Sequence, residues 1–196
     1  MLRIHRAAVQ IAYIFAVIGG VVLSLLILIT CASILGRTLN SILYLDIVTA
    51  TAPAVAQWLI DVGVGAIRGD FELVEAGMAF CIFAFLPLTQ LSASHASVDV
   101  VVNLLPRGVR RSLILLAEIL FAVVLVVIAI QLYDGMGRKL RSGETTLLLQ
   151  FPVWWSYALS LIGAVAAAAA GVYMAIIRAF EVISGQSVVD AGSAEH

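Results

Sequence analysis

The residues of this chain that could do chemistry are few, and most stand at the edges of apolar runs. Two carboxylates come closest to its hydrophobic interior. Glu118 falls roughly 9 Å along the axis of a helix that starts near Ser112, and Glu75 follows Asp70 and Glu72 into another. A charge at mid-bilayer costs at least about 2.5 kcal/mol, so ionisable residues there tend to serve function. Glu118 therefore reads either as a proton or coupling-ion site, or as a snorkelling residue paired with Arg110 or Arg111 about two turns back. Glu75 reads as a solvated helix end favoured by the N-terminal dipole, or as half of a salt bridge to a partner.

Other chemistry is missing by residue type and spacing. His5, His95 and His196 all fall outside the apolar stretches, so a haem bundle has no axial ligands there. Cys31 and Cys81 each sit within an apolar run with no Cys-x-x-Cys, which excludes zinc and thioredoxin-type motifs. Neither His-Glu-x-x-His nor Gly-x-Ser-x-Gly occurs, and Gly135-Met136-Gly137-Arg138 lacks a Walker ending. The expectation is a protein without catalytic residues, metal or cofactor, and not an enzyme.

The elements that carry these residues follow from composition. The chain has 196 residues, 63% hydrophobic and 12% charged, against about 45–50% and 25% in soluble domains. The excess points to lipid. A net charge of −1 leaves no footprint for nucleic acid. Four stretches are long enough to span a bilayer: about 7–35, 73–91, 112–132 and 151–177. The first is too long for a signal-peptide core. The fold class is thus an all-α integral membrane protein, a single membrane domain over 1–196, with four transmembrane helices in a bundle, a long first loop at 36–72 and a polar tail at 179–196.

Within the first loop, Thr51-Ala52-Pro53 resembles a helix start, and Val55, Leu59 and Val62 share one face. At about 22 Å the segment 54–68 is short for a span. It reads as an interfacial helix with Trp58 at headgroup level, or as a fifth, short membrane segment. In the second loop His95, Asp99 and Asn103 form a polar stripe at i, i+4 and i+8, closed by Pro106. The third loop, Tyr133 to Gln150, carries Arg138, Lys139 and Arg141, and leads to Pro152 with Trp154 and Trp155 as an aromatic belt. Pro87 predicts a kink in the second span. The small-residue run Gly163–Gly171 predicts close helix packing, internal or with a partner. Basic residues favour the side of both termini by one, which predicts cytoplasmic termini.

Four places in order along the chain resemble one family. They are Asp70-Phe71-Glu72-Leu73-Val74-Glu75; His95 with Val98-Asp99; Leu104-Leu105-Pro106-Arg107 followed by Arg110-Arg111; and Gly143-Glu144-Thr145-Thr146 with Phe151-Pro152-Val153-Trp154. Together they are similar to the small membrane subunit of tripartite ATP-independent periplasmic (TRAP) transporters. The resemblance implies a multi-pass protein of the bacterial inner membrane. Its partners would be a large permease subunit that moves the solute, driven by a sodium gradient, and a periplasmic solute-binding protein. The small subunit would brace the first and help dock the second, for uptake of a small solute such as an organic acid. Glu72, Glu75, His95, Asp99, Pro106, Arg107, Gly143, Pro152 and Trp154 would hold structure or touch partners. For His95 and Asp99 a purely local polar pair stays equally open. The competing reading is a self-sufficient homo-oligomeric transporter that uses Glu118.

Overall fold

The computed structural model describes residues 2–45, 53–92 and 107–184. It is all-helical, apart from an isolated bridge between Thr145 and Pro152. The helices are α1 (Leu2–Leu43), α2 (Pro53–Asp61), α3 (Asp70–Leu91), α4 (Arg107–Ser142) and α5 (Trp154–Ser184). All except α2 are long and apolar enough to cross a membrane. The nine-residue α2 lies in the first loop with Trp58 exposed.

The helices outrun the apolar stretches that mark them. α4 has 36 residues, about 54 Å, against about 30 Å of hydrocarbon. Its last turns contain Asp134, Arg138, Lys139 and Arg141. Polarity there marks the exit from lipid, while the helix itself continues to Ser142.

α1, α3, α5 and α4 pack in that order as an open row. α1 leans on α3, and α5 is held between α3 and α4; α1 reaches α5 only near its start, where Ala12 meets Ala170 and Met174. In lipid, burial of apolar surface gives helices little reason to associate, so close packing between small residues carries the contacts. A Cβ on Gly19 would come within 2.9 Å of the Ala84 Cβ, and the Cys81 thiol donates to the Gly19 carbonyl at 3.4 Å. Between α3 and α5, a Cβ on Gly163 would lie 2.9 Å from the Phe83 Cβ and 3.0 Å from its carbonyl carbon. Pro87 lacks the N–H that would bond that carbonyl. The α5 backbone at Gly163 thus lies close to the turn where α3 is one hydrogen bond short. Ala122 and Leu125 of α4 meet the far side of α5 at Gly171.

Candidate functional site at the hairpin end

Five of the sequence-predicted residues converge at one end of the row. α4 stops at Gly143, whose N–H bonds the Lys139 carbonyl at 3.2 Å and whose φ of 65° a side chain would resist. The chain then reverses. Thr146 N–H donates to the Phe151 carbonyl and Val153 N–H to the Glu144 carbonyl, both at 3.0 Å. Pro152 stands in the bridge just before α5, opposite Thr145. Trp154 is the first residue of α5 and meets Trp155 edge to face at 6.0 Å. The Lys139 ammonium donates to Glu144 across the foot of this hairpin. That bond holds the Glu144 carboxyl below the ordinary carboxylate range.

The hairpin is tied to α3. The two oxygens of Glu72 accept the backbone N–H groups of Leu148 at 2.7 Å and Leu149 at 2.9 Å. The Leu149 side chain fits over Gly69, which has φ 81°; any Cβ there would collide with it. Asp70 starts α3, accepts the Phe71 N–H at 2.8 Å and faces Arg37 of α1 at 3.7 Å. Next to it the buried Ser33 hydroxyl accepts the Ile67 N–H at 3.2 Å. Two carboxylates two residues apart at the start of α3 thus each meet a neighbouring segment: Glu72 the hairpin, Asp70 the last quarter of α1 at Arg37.

Beneath the hairpin is a half-open cavity of about 340 Å³, lined by Glu72, Glu75, Thr146, Ser156, Tyr157 and Ser160, with Leu132 and Phe151 as apolar wall. Ser160 donates to the Ser156 carbonyl at 2.8 Å. Glu75 is exposed at its mouth. Around the same end Phe71, Leu147 and Leu148 stand free, Leu147 with 92% exposure.

Arg107, the first residue of α4, belongs to the opposite end of the row. His95, Asp99 and Pro106 lie outside the described residues. At that opposite end sequence reasoning missed two buried polar pairs. Gln90 of α3 donates to Glu118 of α4 at 2.6 Å, and Arg178 pairs with Glu181 on α5 at 2.7 Å. Glu118 is 3% exposed; the side chains of Arg110 and Arg111, its expected partners, lie outside those described. The only sequence signals were a glutamine closing an apolar run and an i, i+3 charge pair. Among the described residues no group of three His, Cys, Asp or Glu side chains could hold a metal ion.

The described residues thus combine the hairpin and its acidic anchor with the aromatic start of α5 and four long apolar helices. No curated protein and no solved structure matches the chain. The family described as tripartite ATP-independent periplasmic transporters, DctQ component, matches residues 26–181, and the chain belongs to that family.

Proposed function

We propose that this small TRAP membrane subunit braces the large permease subunit in the bilayer and helps dock the periplasmic solute-binding protein. The transport it serves is uptake of a small solute, in our reading an organic acid, driven by a sodium gradient across the bacterial inner membrane. Both termini would be cytoplasmic, and the hairpin end would face the periplasm. The observation that carries this reading is the open row. Of the most apolar stretch of each helix, 44% is buried in α5 but only 11% in α1. The flanks of the row offer apolar surface, and among the described residues few buried polar side chains are there to line a solute path. Transporters acting alone use broken helices or intramembrane polar groups for that purpose.

Affinity purification of the tagged chain from its native host in mild detergent, with mass spectrometry, tests this. The expected result is a large multi-helix membrane protein in stoichiometric amount. Recovery of this chain alone at every detergent strength would overturn the reading. The buried Glu118 favours one other reading, transport by a homo-oligomer of this chain. Liposomes containing only this chain decide it: that reading requires solute uptake that Glu118→Gln abolishes, and ours requires no uptake at all.

A further inference from the structure

Glu72 and Glu75 lie one turn apart on α3 and line the same cavity, but their situations differ. Glu72 commits both oxygens to the Leu148 and Leu149 amides. Glu75 makes no hydrogen bond or ion pair with any described residue. The Thr146 hydroxyl oxygen lining that cavity is shielded from solvent; it stands close enough to Glu72 to favour its carboxylate, without a well-aligned bond. A carboxylate and a hydroxyl therefore border one space that no described cation of this chain lines.

This chain supplies no cation for them. Arg37 faces Asp70 and Lys139 holds Glu144. Arg68, Arg138 and Arg141 do not line the cavity. All other lysines and arginines belong to the opposite end, and the segments outside the described residues contain none.

We infer that Glu75 and the Thr146 hydroxyl receive a lysine or arginine side chain of the large membrane subunit, inserted into this cavity at the edge of the bilayer. The inference rests on the proposed function for the existence of that subunit. Three features select a side chain over a free ion. The cavity holds about 340 Å³, many times the roughly 30 Å³ share of a water molecule. Glu75 is the one lining carboxylate without a described partner, whereas a hard cation such as calcium takes about 6–8 oxygen ligands, typically several of them carboxylate. Ala76, Ala79, Leu132 and Phe151 supply an apolar wall suited to a methylene stem. Glu75 also lies about 7.5 Å along α3 from Asp70, at the shallow depth where long basic side chains bring their charge to the interface.

The test uses the complete complex from the native host. A photo-crosslinking residue at position 75 should capture the large subunit, at a segment with a lysine or arginine within one helical turn. Glu75→Lys should cut recovery of that subunit about tenfold or more, Glu75→Gln less, and reversing the captured basic residue to glutamate should restore Glu75→Lys. Melting of the isolated variants should match the parent, since Glu75 is exposed. Equal recovery and equal uptake with Glu75→Lys would overturn the inference and leave the accessory-subunit reading standing. A shift in sodium dependence with Glu75→Gln at unchanged assembly would overturn it in favour of a free cation. Capture of lipid alone would overturn it too. Absence of the large subunit from the parent preparation would remove both readings.

Discussion

Gln90 donates to Glu118 across 2.6 Å, joining α3 to α4 in a row where α5 otherwise stands between them. Each residue is 3% exposed. A buried carboxylate that loses a donor is costly, although interhelical hydrogen bonds in membranes average well below the expectation from hydrocarbon transfer. Gln90→Leu should therefore destabilise the chain by about 0.5–2 kcal/mol. Glu118→Gln should cost less, because the amide oxygen still accepts. Thermal melting in one detergent compares them; a Gln90→Leu melt equal to the parent would show that the bond contributes nothing.

The packing of α5 on α3 gives a sharper contrast between two glycines. At Gly163 a side chain would meet Phe83 and the Ala84 backbone nitrogen, which lie within 3.2 Å of its Cβ. At Gly20 nothing lies within 4 Å. Gly163→Leu should cost about 1–3 kcal/mol through overpacking, while Gly20→Leu should leave the isolated chain unchanged. Disulfide trapping between cysteines placed on α3 and α5 reports the separation directly. Equal trapping in both variants would contradict the close approach.

How much of this was legible beforehand depends on what lipid demands. Crossing requires long apolar stretches, and those stood out plainly between 7 and 177. Helix ends did not, because the run from Tyr133 to Ser142 leaves the bilayer without leaving the helix. Facing was hidden for a related reason. Lipid is as apolar as a core, so residues such as Ala84, at 0% exposure, and Ile82, at 56%, look alike in sequence. The pairing of Gln90 with Glu118 depends on the rotation of two helices far apart in the chain. At the hairpin end, Glu72, Gly143, Pro152 and Trp154 were recognisable by type and order. The groups that Glu72 binds are backbone amides, which carry no sequence signature.

Those amides make the anchor measurable. Glu72→Ala should release the Leu148 and Leu149 N–H groups. Hydrogen bonds to charged acceptors are worth about 1.5–3 kcal/mol in folded proteins, a range the exposure of this site reduces. Exchange of both amides should rise by about tenfold, with the helical amides of α4 and α5 unchanged. Equal exchange in parent and variant would mean that Leu149 over Gly69 alone fixes the turn.

The foot of the hairpin titrates. Lys139 donates to Glu144 and lowers its carboxyl below the ordinary value. A carboxyl depressed in the folded state favours that state above its unfolded value, and the advantage is lost as pH falls through the folded value. The ion pair should thus persist from neutral pH to below the usual carboxylate range, then open on further acidification. Both partners are solvent-accessible, so salt should weaken the effect. Carbon-13 titration of the Glu144 carboxyl reads it: Lys139→Met should raise the midpoint towards an ordinary glutamate, and high salt should move the parent the same way. Coincident curves for parent and variant would show that the hairpin is closed by its backbone bonds and that Lys139 takes no part.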